Sequence, residues 1–291
     1  MKPNLSLLAG QLPDIAKEAG RIIMVVRNSG DLGVVEKMTY GKPSPFTRAD
    51  TASHTYLMSA LQRISPDIPI VSEENDLELS RSIVEQNDTF WLMDPLDGTK
   101  SFIKGQDDFA VNIALIDHGK PVLGAVYFPS QQLLYYTGSN GKAYRQRGEE
   151  TAVIIDASPA ITKEQLRVAV GHKDTAADFE RMGLSELLQG KDLERRTNAR
   201  RICLIAEGGS DLAVGTKLSS TWDTAGPDAV LRAAGGVLLN HTTKQPMTYG
   251  KEAVIEQNGT IYPMANPSFM AGHRNTLIKL CGLPGPVAGK V

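Results

Sequence analysis

The sequence predicts an α/β fold, and three observations carry that expectation. Apolar residues recur at helical spacing through much of the first 64 positions. Two short apolar runs that end on acids and then a long alternating stretch occupy the chain to about residue 147. Beyond residue 150, helix-like and strand-like patterns alternate.

Between Pro13 and Asn28 the residues Ile15, Ala16, Ala19, Ile22, Ile23 and Val26 mark a helix, with Gly30 as its stop. A second helix is predicted over Ala49 to Ile64, with Leu57, Ala60, Leu61 and Ile64 on one face and Pro66 just beyond. IPIVSEE at 68–74 and TFWLMD at 89–94 read as buried strands. From Phe109 to Arg147 the runs FAVNIALI, PVLGAVYF, QLLYYT and KAYRQ, with a His-Gly and a Ser-Asn-Gly turn, read as an antiparallel meander. LRVAV at 166–170 and SDLAV at 210–214 then alternate with helical DFERMGLSELL at 178–188, ARRICLIAEGG at 199–209 and TAGPDAVLRAAGG at 224–236. The change of pattern places a boundary near 150–162, giving an N-terminal α+β half, 1–155, and a C-terminal α/β half, 156–291.

The length of 291 residues suits one large domain or two closely packed ones. A net charge of -2 and a pI near 6.2 give no electrostatic footprint for nucleic acid, and no basic run suggests a membrane surface. No apolar stretch approaches the roughly 18 residues of a spanning helix. Cys203 and Cys281 form no CxxC or Cys/His spacing, which fits a reducing compartment, so a cytoplasmic protein is expected.

Four distant segments carry acids beside signs of a bend: Asp50 in TRAD, Glu73 and Glu74 in VSEEN, Asp94 and Asp97 in DPLDGT, and Asp223 in WDTAG. Singly, each reads as a cap, a strand terminator or a solvated surface pair. DPLDGT says most. A strand through Trp91, Leu92 and Met93 delivers Asp94 at its carboxyl end, where open α/β sheets bind ligands. Pro95 stiffens the turn, Asp97 returns to the same side, and Gly98 lets a group approach the backbone. If Thr99 to Phe102 begins a helical turn, the amides of Gly98 and Thr99 form an anion site. Carboxylates alone would repel a phosphate; carboxylates with amides suit one held through hard cations such as Mg2+. GTKS at 98–101 lacks P-loop spacing, and there is no DxDxDG loop, HExxH or GxSxG.

WLMDPLDGTKSF at 91–102 and WDTAGPDAVLRAAGG at 222–236, with Glu73 and Glu74 between TRAD and DPLDGT, resemble the magnesium-dependent, lithium-sensitive phosphatases of the inositol monophosphatase superfamily. SPFTRAD, IPIVSEEN, DPLDGTKSFIK and ICLIAEG are most similar to its bacterial CysQ-type group, the 3'(2'),5'-bisphosphate nucleotidases. The resemblance implies a layered αβαβα sandwich. It implies a first metal held by Glu73, Asp94 and the carbonyl of Leu96, and a second held by Asp94, Asp97 and Asp223, with two or three Mg2+ ions in all. It implies a catalytic pair of Asp50 and Thr99, in which Thr99 donates to Asp50 and accepts a proton from the attacking water, with the phosphate on the amides of Gly98 and Thr99.

The implied reaction removes the 3'-phosphate of 3'-phosphoadenosine 5'-phosphate. The partner is then a small phosphate ester, with neither nucleic acid nor membrane, and a homodimer is in keeping with the superfamily. An inositol or sugar monophosphatase is the near alternative, and a non-catalytic metal- or phosphoinositide-binding protein the remote one. The substrate-reading part departs from the CysQ pattern: ThrAsnAlaArgArg at 197–201 replaces a GlySer-type step followed by Lys, and AlaValGlyThrLys at 213–217 replaces a Tyr-Pro-Arg cluster. Arg200, Arg201 or Lys217 are the basic side chains expected to substitute.

Overall fold

The computed structural model describes residues 3–39, 42–159, 162–257 and 260–281. Its first helix, Leu5–Ser29, begins earlier than Pro13. Asn4 caps it by accepting from the Leu7 amide, and Leu8, Ala9 and Leu12 extend the buried face upstream. It ends on Gly30 at φ +73°, as the sequence predicted. The second helix, Arg48–Ile64, opens with a capping box between Thr47 and Asp50.

A seven-stranded sheet follows, in the order Ile70–Ser72, Thr89–Asp97, Ala110–Asp117, Lys120–Phe128, Leu133–Thr137, Ala143–Arg147, Val153–Ile155. The first two strands are parallel, connected through a helix Leu77–Gln86 that the sequence pattern did not reveal; the rest run antiparallel, as the meander required. Alternation along the second strand divides its side chains between two cores. Trp91 and Met93 meet Leu12, Ala16, Leu57 and Leu61 of the first two helices, whereas Phe90 and Leu92 face Ala225 and Val230 on the opposite side. Burial on both faces explains why FWLM at 90–93 is apolar throughout rather than alternating.

The middle layer consists of Asn198–Ala206 and Trp222–Ala233. Beyond it lies a five-stranded sheet in the order Leu193–Arg195, Val168–Val170, Leu212–Gly215, Phe269–His273, Gly236–Asn240. Its outer face packs Val168, Val170, Leu212 and Val214 against Phe179, Leu187, Leu188 and Leu277 of the helices Ala176–Arg181, Ser185–Leu188 and Arg274–Cys281. These five layers are the predicted αβαβα order. The helix expected over 178–188 is two, because Gly183 at φ +67° breaks it. The seven-stranded sheet lies within 70–155 and the five-stranded one within 168–273; residues 282–291 of the C-terminal half lie outside the described residues.

Two details aim this scaffold at its site. A β-carbon on Gly124 would stand 2.4 Å from the Gly226 carbonyl oxygen, so the helix Trp222–Ala233 lies close on the large sheet and carries Asp223 towards it. A hairpin of Val35–Thr39 and Lys42–Phe46, also unforeseen, brings Lys37 to the acids.

Candidate active site and metal centre

Asp94 and Asp97 are three residues apart, a spacing that sends side chains to opposite faces of a regular strand. Here Asp94 pairs with Asn112 and Asp97 with Ala110, so one extra residue is accommodated between them. That bulge restores both carboxylates to one side. Ser53 Oγ donates to the Pro95 carbonyl at 2.9 Å, and the Leu96 amide donates to Asp94 Oδ1 at 2.9 Å, which fixes the bend against the second helix. Gly98 follows at φ +83°, where a β-carbon would stand 2.7 Å from the Asp108 carbonyl oxygen. The one-turn helix Thr99–Ile103 starts there, as expected.

Asp223 arrives in the first turn of Trp222–Ala233. The Ser220 amide donates to its Oδ2 at 3.1 Å and Asn198 Nδ2 at 3.4 Å. One carboxylate oxygen from each of Asp94, Asp97 and Asp223 lies within 4.8 Å of the others. Glu73 stands outside that trio with Oε1 3.2 Å from Lys37 Nζ, yet its charge reaches the trio. Burial, then Glu73 and the neighbouring aspartates, pushes the Asp94 carboxyl well up. Asp97 is raised likewise, first by burial and then by Asp223. Burial and Glu73 bring Asp223 to about 7, and Glu74 rises to about 7 for the same reasons.

The donor set fits a hard divalent cation. Asp97 Oδ2 is buried without a hydrogen-bond partner, and all the convergent atoms are carboxylate oxygens. Lys37, the cation beside Glu73, is shared with Glu74.

Thr99 Oγ has two acceptors for its single proton, the Leu96 carbonyl at 3.1 Å and Asp50 Oδ1 at 3.4 Å. Asp50 is buried; its Oδ2 accepts from the Thr47 amide at 2.8 Å and the Thr47 hydroxyl at 2.6 Å. One aspartate thus caps the second helix and reaches towards Thr99. Trp222, which precedes Asp223, is buried in the core.

The three basic side chains expected to meet the substrate lie in different surroundings. Arg200 is 14% exposed, hydrogen-bonded to the Tyr135 hydroxyl, 3.7 Å from Glu207 Oε1, and over the Phe128 and Tyr135 rings. Arg201 is buried over Phe269, with Nη1 3.5 Å from Asp174 Oδ2 and a bond to Asn198. Helix Asn198–Ala206 is sandwiched between two sheets, so both guanidinium groups are drawn into its packing and neither lines the cavity beside Asp223. Lys217 does line it.

Lys37 and Asn198 carried no sequence signal, since nothing local joins residue 37 to 73 or 198 to 223. Nor did Asp108. It accepts from the Thr197 amide at 2.8 Å and hydroxyl at 2.9 Å and lies 2.9 Å from His172 Nε2, tying the end of the acid loop to the helix that presents Asn198.

The sequence profile of the Inositol monophosphatase family matches residues 6–275. The chain belongs to that family. Among relatives of this inositol monophosphatase family member, the 3'(2'),5'-bisphosphate nucleotidase CysQ of Escherichia coli O157:H7 is 37% identical over 231 residues, covering 77% of this chain and 87% of the relative. That of Salmonella typhimurium is 36% identical over 250 residues, covering 81% and 94%. The crystal structure of CysQ from Bacteroides thetaiotaomicron superposes with a TM-score of 0.71 at 25% identity, covering 92% of this chain and 98% of that one. The family is metal-dependent, in accord with the acid cluster. Among the described residues, no helix is long and apolar enough to cross a membrane.

Proposed function

We propose that this chain is a Mg2+-dependent phosphate monoester hydrolase that removes the 3'-phosphate of 3'-phosphoadenosine 5'-phosphate, giving AMP and phosphate. The observation that carries the reading is the approach of Asp94, Asp97 and Asp223 to within 4.8 Å beside the turn at Gly98. The choice of a bisphosphate nucleotide is supported by relatives of that name at 37% and 36% identity.

Glu73, Asp94, the Leu96 carbonyl, Asp97 and Asp223 would hold two or three Mg2+ ions. When bound, magnesium supplies positive charge to the phosphoryl oxygens and makes a water molecule a stronger acid. The chain's own groups do the rest. The amides of Gly98 and Thr99 hold phosphate oxygens; with only one helical turn behind them, they act as hydrogen-bond donors rather than through a macrodipole. Thr99 turns its hydroxyl proton towards Asp50 Oδ1, 3.4 Å away, and so keeps oxygen lone pairs for the proton of the attacking water. Halves 1–155 and 156–291 meet at the reaction centre, the first giving most ligands and the second Asp223. A cytoplasmic location suits such a substrate.

Phosphate release with Mg2+ from 3'-phosphoadenosine 5'-phosphate, inositol 1-phosphate and fructose 1,6-bisphosphate tests the reading. The nucleotide is expected to give the highest kcat/KM. Preference for inositol 1-phosphate would replace the nucleotide reading with the monophosphatase one, and no release from any ester would leave only a binding role.

A further inference from the structure

A cavity of about 870 Å³ opens beside Asp223 and the start of the helix Thr99–Ile103. Four cations from separate places in the chain line it: Lys100 in that helix, Lys173 in the turn before Ala176–Arg181, Arg181 at that helix's end, and Lys217 just ahead of Ser219–Ser220. In a chain of net charge -2 this is a local concentration of positive charge. Asp178 is shared between two of them, accepting from Lys217 Nζ at 2.6 Å and from the Arg181 guanidinium through the same oxygen. Among the described residues, Lys100 and Lys173 have no carboxylate partner. One shared carboxylate leaves the wall with excess positive charge, a few side chains away from a buried excess of negative charge.

Such a cavity suits a ligand with two anionic ends. One phosphate is drawn to the acid end only with cations between, whereas the other can be met directly by ammonium and guanidinium donors, which bind phosphate as point charge and as fork. Leu218 and Tyr262 add less polar wall to the same cavity. Arg200 and Arg201 do not line this cavity.

Resting on the phosphatase reading above, we propose that Lys100, Lys173, Arg181 and Lys217 form the subsite for the second, non-reacting phosphate, and that this wall selects bisphosphorylated over monophosphorylated substrates. Lys100 and Lys173 are its separable members, because neither is tied into the fold by an ion pair.

The test uses the full chain and its Lys100→Ala/Lys173→Ala double variant. In the first arm, AMP and adenosine are titrated by calorimetry into chelated, metal-free protein, so that phosphate affinity does not depend on turnover. Wild type is expected to bind AMP at least about tenfold more tightly than adenosine, the scale of a charged hydrogen bond, and the variant to lose most of that preference. Equal binding of the two by wild type, or a full preference retained by the variant, overturns the subsite. In the second arm, kcat/KM is compared for 3'-phosphoadenosine 5'-phosphate and 3'-AMP. The variant should lose about tenfold or more in the ratio of the two; an equal loss on both overturns the assignment. Absence of all turnover in wild type would count against the phosphatase reading alone, since the first arm still decides the subsite.

Discussion

The acid cluster and the basic wall beside it are opposites in more than charge. On the acid side, Asp50 and Asp94 are almost wholly buried, held by backbone amides and hydroxyls, and placed by a strand bulge and a close helix–sheet contact. On the basic side, Lys100, Lys173, Arg181 and Lys217 are exposed, and two of them have no ion-pair partner among the described residues. The difference teaches that the acid side is built against its own stability, whereas on the basic side Lys100 and Lys173 can be altered without breaking an ion pair. Chemistry requires the first arrangement, because charge must be pre-positioned where it is needed; selection among substrates can be left to the second.

The comparison breaks most easily at Asp94. Asp94→Asn should lower turnover by about 10³-fold or more, on the scale of losing an electrostatic element of a reaction centre. The metal-free variant should be at least as stable as the parent, since Asn keeps the acceptor for the Leu96 amide and removes a charge from a repulsive group. Steady-state kinetics and a thermal melt in chelator check both halves, and normal turnover would remove Asp94 from the site.

Thr99→Ala should lower kcat by about 10²-fold or more, in the range of general acid–base catalysis. Mg2+ affinity, read from the metal dependence of the melting temperature, should change little. An unchanged kcat would mean that the shorter contact from Thr99 to the Leu96 carbonyl is its whole role.

The smallest effect is one of stability, and its sign follows from the raised carboxyls. An unfolded Asp ionises near 4, whereas Asp223 folded without metal does so at about 7. The contribution of such a group is fully present below the unfolded value and is lost as pH rises towards the folded one. The chelated protein should therefore melt at progressively lower temperature from pH 5 to pH 8. Saturating Mg2+ should raise the melting temperature by roughly 5 °C at pH 8, and by less at pH 5. Equal gaps at the two pH values would show that the buried acids are not what the cation relieves.

Much of this was legible in the residues because the signals are local. DPLDGT contains its own turn, its glycine at φ +83° and its two acids, and the meander of 109–147 marks two of its turns with His-Gly and Ser-Asn-Gly. The unread parts depend on distant contacts. Nothing near Arg200 says that Tyr135 and Glu207 will claim it, and nothing in Val35–Phe46 says that Lys37 will reach Glu73 and Glu74.

By itself the sequence determined the layered α/β fold, the identity of the convergent acids and the family. Periodicity and turn chemistry act within a few residues, and a motif keeps its order along the chain. Only the tertiary structure decided which cations face the cavity. A side chain's electrostatic role is set by what lies within a few ångströms of it after folding, so that two adjacent arginines became packing elements while four scattered cations came to line one wall.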